Sequence, residues 1–343
     1  MVYFTPIRFF LPLIAIILLC AVLPVVAMAQ RVIGTIDFYG PVKAERELLL
    51  KAIGLAEGDT MPINVERMKK DLLHATVAKA VDVEIVCCQD GKYSVFIGMD
   101  TIEPSGKRND EYVRNINLPD TIARTYADFE RALQVAVAAG ESEDDLSKGY
   151  SLLKNESVRR IQERFIPLAN AYFHQLSEVL LYSAHVRDRS IAAVVLAYAD
   201  DRLAVGRLYA DAINDPAPEV RNNVLRALTG LAVYAREHPS AAIVIRPKLF
   251  TRFLHSVYWT DRDKALFCLV ALTETKDELM YDALRNDALL PLLQMSQWRS
   301  SNHALLAYIV LGRILGFDDE KIFATWQNKS QEVFDRARGN GSF

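Results

Sequence analysis

Four apolar helical segments that repeat after Arg187 constrain this chain more than any other feature. The segment 190–198 can be laid over 220–228, then over 264–272 and 304–312. Steps of 30, 44 and 40 residues between these starts fall in the range of paired-helix repeats. A second apolar helix is expected after each copy, at 203–213, 247–257, 279–293 and 320–326. In the second copy Val220, Val224, Leu225, Leu228, Leu231 and Ala232 make one stripe, the spacing of a helix with a single buried face. The fourth copy is apolar nearly all round and needs neighbours on both sides. None of these segments can shelter alone, so they must stack in sequence. The spacing predicts a mainly α chain with a helical solenoid over 187–328.

Ahead of the repeats, residues 30–102 read as a small α+β unit. The β-branched and aromatic run 31–38 ends at Gly40-Pro41, a strand with its terminator. Leu48, Leu49, Ala52 and Ile53 mark a short amphipathic helix closed by Gly54. Asn64 is placed to cap a second helix through Met68, Leu72 and Leu73. Val81, Val83, Ile85 and Cys87 then alternate with Asp82, Glu84 and Val86. Asp90-Gly91 supplies a hairpin turn, and 93–99 returns as a further strand. The predicted order is β-α-α-β-β.

The start of the chain has the pattern of an export signal. Arg8 precedes an uncharged apolar run over 9–26, Pro24 can end its helix, and Ala27-Met28-Ala29 before Gln30 fits a cleavage site. Cleavage is expected between Ala29 and Gln30, with an uncleaved anchor as the alternative, since 9–29 is long enough to span a bilayer. Cys20 follows Leu18-Leu19 and does not fit a lipid-attachment site. Cleavage would leave Cys87, Cys88 and Cys268, too few for a disulfide framework. Adjacent Cys87 and Cys88 are expected to point to opposite faces of a strand, unlinked.

Composition excludes some classes. Hydrophobic residues make up 51% and charged residues 24% of the 343, the balance of a folded protein, not a disordered one. A formal charge of −3 gives no electrostatic footprint for nucleic acid. The membrane is expected to be met only through the N-terminal segment, and only if that segment stays uncleaved.

Between the two regions, 103–118 reads as a linker carrying Pro104-Ser105-Gly106 and mixed charges. A connecting helical region is expected over 119–186. Its first helix starts at Pro119-Asp120 and ends at Gly140. The acids 141–145 are then placed to start the next helix, and 152–182 is helical with Pro167 kinking or dividing it. Residues 329–343 are left as a tail.

Two stretches resemble known families. Ile33-Gly34-Thr35-Ile36-Asp37-Phe38-Tyr39-Gly40, the punctuation from Gly54 to Gly58-Asp59 and the 81–99 hairpin resemble a POTRA domain. That resemblance implies a periplasmic docking module. Asn214-Asp215-Pro216-Ala217-Pro218-Glu219-Val220-Arg221 resembles the HEAT-repeat family, in which an Asp-Pro turn precedes Val-Arg. It implies a HEAT/ARM-like solenoid that binds other proteins.

No catalytic or metal-binding constellation is expected, and no cofactor. The motifs HExxH, CxxC, P-loop, GxSxG and GxGxxG are missing from their required contexts. His174 and His185 would share a face if one unbroken helix held both, yet zinc needs closer ligands. Asp144-Asp145, Asp200-Asp201 and Asp318-Asp319 fall at predicted helix boundaries, where capping accounts for them. Ser240 near His238, and Ser256 beside His255, lack an evident orienting acid.

The sharper candidates are aromatic. Trp259 with Arg262, and Trp298 with Arg299, sit at matching points before the third and fourth copies. Exposed at repeat tips they would be partner-binding hot spots; packed over the following helix they would be staples. Arg202, Arg207, Arg221 and Arg226 could line a groove, or lie on a solvated face. The resulting expectation is an exported, periplasmic or secreted envelope scaffold whose partners are proteins, an envelope or outer-membrane complex among them. The alternative is an enzyme or ligand carrier with its site in the solenoid groove.

Overall fold

The computed structural model describes residues 32–103 and 110–340. The expected leader, its cleavage site at Ala29 and Gln30, and Cys20 lie outside them. The α+β unit forms in the predicted order: β1 (Ile33–Tyr39), α1 (Arg46–Ile53), α2 (Val65–Ala75), β2 (Ala80–Gln89) and β3 (Lys92–Asp100). Strand order is β1-β3-β2, with β3 parallel to β1 and antiparallel to β2. Local chemistry sets the boundaries. Gly54 closes α1 in the left-handed region, Asn64 accepts from the Arg67 amide to start α2, and Asp90 and Gly91 both take positive φ in the hairpin. Ile36, Val83, Val95, Ile97 and Met99 meet Leu49, Met68 and Leu72 to form the core under the two helices.

In the connecting region, α3 (Asp120–Ala138) forms as expected. The acids after it do not start a helix. Asp144–Asp145 is β4, paired with β5 (Leu152–Leu153), and the carboxylates accept from Ser151 Oγ and the Ser147 amide. Helix α4 (Glu156–Ala171) starts later, capped by Asn155. It absorbs Pro167, and the chain breaks at Tyr172 before α5 (Phe173–Tyr182). The expected linker is held down at its far end: the Arg114 amide donates to Tyr182 O, and the Ala184 amide donates to Arg114 O.

The rest is helical: α6 (Val186–Leu196), α7 (Arg202–Ala212), α8 (Pro218–Glu237), α9 (Lys248–Thr251), α10 (Trp259–Thr273), α11 (Glu278–Met295), α12 (Ser301–Ile314), α13 (Asp319–Gln327) and α14 (Glu332–Asn340). Four of these, α6, α8, α10 and α12, hold the four repeated segments, and each packs against the next. Their intervening partners form a second layer, where α9 packs on α11. The chain is thus mainly α with a small α+β unit, and its helical array is compatible with a solenoid. Two expectations change here. The helix expected over 247–257 is one turn of α9 followed by a 3-10 turn, Arg252–His255, after an irregular stretch holding Pro239 and Pro247. The supposed tail contains α14, whose Val333 and Ala337 are fully buried against the last helices.

Buried ion pairs join successive copies. Arg189 grips Asp215 at 2.7 and 3.0 Å while its Nη1 donates to Ser183 O. Arg221 grips Asp261 at 3.0 and 2.8 Å while its Nη1 donates to Asp215 O. In both, an arginine ties its own preceding turn to the acid of the next copy. Bidentate geometry and full pairing are what make such burial tolerable. Arg221 is therefore a structural rung, buried by its ion pair and not lying on a solvated helix face.

Candidate functional site: the seam between sheet and helices

Alternation along the strands leaves one sheet face for α1 and α2 and gives the other to the array. Tyr39 and Phe96 point away from the first core and join the second. Phe96, with no exposed surface, is gripped by Trp259 and Trp298, whose ring centroids lie 5.1 and 5.0 Å away. His303 completes the cage edge-on to Phe96 at 5.2 Å, and its Nδ1 lies 3.1 Å from Asp263 Oδ1. Close approach requires Gly98, where a Cβ would stand 2.0 Å from Val257 O. Each large ring buried here removes about 150–250 Å² from water, a gross gain of about 4–6 kcal/mol.

Two strand carboxylates meet helix starts. Asp37 on β1 accepts from the amides of Arg299 at 2.7 Å and Ser300 at 3.0 Å, at the head of α12. Asp82 on β2 lies near the Trp259 amide at the head of α10, which favours its charge, and pairs with Lys69 at 3.6 Å. Helix N-termini favour negative charge, but burial outweighs this and raises both carboxyls above the ordinary range. Asp263 differs: burial pushes it up, yet the Lys264 charge and the His303 hydrogen bond leave it lowered overall.

The four proposed partner-binding residues thus lie at or beside an internal interface. Trp259 and Trp298 are 6% and 7% exposed. Arg262 is buried with its guanidinium carbon 4.4 Å from the Tyr39 ring centre, and its Nε donates to Ser256 O at 2.6 Å. Burial pushes its pKa down to about 10. Arg299 alone stays half-exposed, paired with Glu57 at 2.7 Å. The expectation of exposed hot spots at repeat tips is corrected: α10 and α12 begin beneath the sheet, so their first residues meet this chain's own strands. Trp259 Nε1, Trp298 Nε1 and Arg262 Nη1 have no hydrogen-bond partner within the described residues.

A cleft of about 430 Å³ opens beside the seam, where Asp100 and Ile102 leave the sheet and face Arg221, Arg252, Ser256 and Tyr258. Ser256 Oγ donates to Asp261 Oδ2 at 2.7 Å, whereas His255 Nε2 lies 2.9 Å from Asp287 O. The adjacent serine and histidine do not meet. His238 stacks on Tyr234. His174 is exposed on α5, and His185 precedes α6 with its ring turned to Asn115, so no single helix carries both. Among the acid pairs, Asp201 and Asp318 do cap helices, accepting from Ala204 and Lys321 amides, and Asp319 pairs with Arg313. Arg226 reaches Asp144, and Arg202 lies between the Tyr150 and Tyr234 rings. Among the described residues no group of three or more His, Cys, Asp or Glu could hold a metal ion. Cys268 is a free, buried thiol, but Cys87 is disulfide-bonded, which corrects the expectation that it is unlinked.

Reading from sequence missed the sheet's half of the seam. The signal was present: Phe96 alternates against Val95 and Ile97, which puts an aromatic ring on the face the two helices leave bare. No family model matches the chain, and no curated protein or solved structure matches it either.

Proposed function

We propose that this chain is an exported cell-envelope protein that acts as a protein-binding scaffold or adaptor. One observation carries the reading: the sheet and the helical array share a buried seam, so the chain presents one continuous, preshaped surface. The β-α-α-β-β unit with strand order β1-β3-β2 supports the POTRA-like reading of the first domain. The stacked first helices joined by arginine–aspartate rungs support the HEAT-like reading of the second. Stacked helices expose their solvent-facing sides as an extended platform, and binding there draws on area and shape. The leader pattern of the first 29 residues supports export to the periplasm or beyond, either cleaved after Ala29 or held as an anchor.

Crosslinking with mass spectrometry on intact cells tests this. Crosslinks from surface residues of the array to envelope proteins are expected. A chain found only in the cytosol, or free of crosslinks to any other protein, contradicts the proposal.

A further inference from the structure

A groove of about 620 Å³ lies at the far end of the array, among α12, α13 and α14. Its apolar wall is made by Trp298, Tyr308, Trp326 and Phe334. Tyr308 holds this wall together. Its ring lies 5.0 Å from Trp326 and 5.4 Å from Phe334, and its hydroxyl donates to Thr325 Oγ1 at 2.9 Å. Tyr308 and Trp298 lie buried behind this wall, so an occupant would meet the apolar faces of the half-buried Trp326 and Phe334. The charged residues lining the groove are Lys329 and Arg338, the second paired with Asp335, and no carboxylate lines it among the described residues. The nearest acids of α14 are engaged: Asp335 with Arg338, and Glu332 with Lys321.

We propose that this groove binds a short acidic segment of a protein partner, anchored by one or two aromatic side chains. This deepens the scaffold reading and rests on it, since it names the surface and the chemistry of what docks there. The volume suits about four residues at ordinary packing density, as for a peptide laid against an aromatic wall. Lys329 sets the sign of the partner's charge, with Arg338 partly offset by Asp335. Aromatic walls with nearby cations supply large contact area at low entropic cost.

Fluorescence anisotropy of a labelled hexapeptide with two phenylalanines and four aspartates tests the proposal. The comparison peptide carries four lysines in place of the aspartates. Full-length protein should bind the acidic peptide at least about tenfold more tightly, with affinity falling as salt rises. Lys329→Glu should weaken binding about threefold to tenfold, and Trp326→Ala about tenfold or more. Gln331→Trp, which narrows the groove from an exposed position, covers the case in which Trp326→Ala unfolds. Equal affinity for both peptides, or binding insensitive to Lys329→Glu and Gln331→Trp, overturns the proposal. So does binding that appears only when the chain is cut after Asn340, because the protein's own end would then be the occupant. If crosslinks to envelope proteins persist while these peptides fail, the groove assignment falls and the scaffold reading stands.

Discussion

Asp37 places both carboxylate oxygens against the amides of Arg299 and Ser300, more than two hundred and fifty residues away in sequence. Removing them in Asp37→Ala leaves two amides at the head of α12 without these acceptors, a loss of about 1–3 kcal/mol. Thermal or urea unfolding would register it. Its pH dependence runs against the usual direction for an acid. Burial raises Asp37 in the folded protein above its unfolded value, so the charged form is penalised by folding. The stabilising contribution is then complete below the unfolded value, ~4, and is lost as pH climbs through the raised one. Wild type should gain on Asp37→Ala as pH falls from 7 toward ~4, measured as the difference in Tm. A difference that shrinks over that range contradicts the assignment. Arg221 offers a second residue-scale test. Arg221→Ala strands the buried Asp261 charge and should cost about 3–5 kcal/mol, whereas replacing both partners with apolar residues of similar volume should cost much less.

Among the elements, those with strong local signals were legible in sequence. The Gly54 cap, the Asn64 cap, the Asp90-Gly91 turn and the four repeated helices form where chemistry within a few residues predicts them. Distant contacts decided the misread cases. Leu152 and Leu153 continue a helical pattern, yet they pair with Asp144 and Asp145 because the Gln162 side chain accepts from the Leu153 amide and donates to Ser151 O. Trp259 and Trp298 carried a correct positional signal, the starts of two helices, but nothing nearby in sequence names Phe96 as their neighbour. Gly98 shows how tightly these elements meet. Gly98→Val would drive a side chain into Val257 O and the Tyr39 ring. Limited proteolysis of that variant should cut near the start of α10 much faster than in wild type, while far-UV circular dichroism stays nearly unchanged.

At the scale of the whole molecule, the seam turns a domain and an array into one body. An interface between independent domains is normally small and polar, and leaves them free to move. Here Phe96 sits in an aromatic cage, and the Asp37 carboxylate from the sheet holds the start of α12. The two parts should therefore unfold in a single transition. Site-resolved amide hydrogen exchange at Arg299 and Ser300 tests this most directly, because their amides face Asp37 in the seam. Both should be protected to about the same free energy as the buried centres of α8 and α10. Exchange of these two amides within seconds at neutral pH, while the helix centres stay protected, would mean that the sheet leaves the array freely and that the seam does not join them.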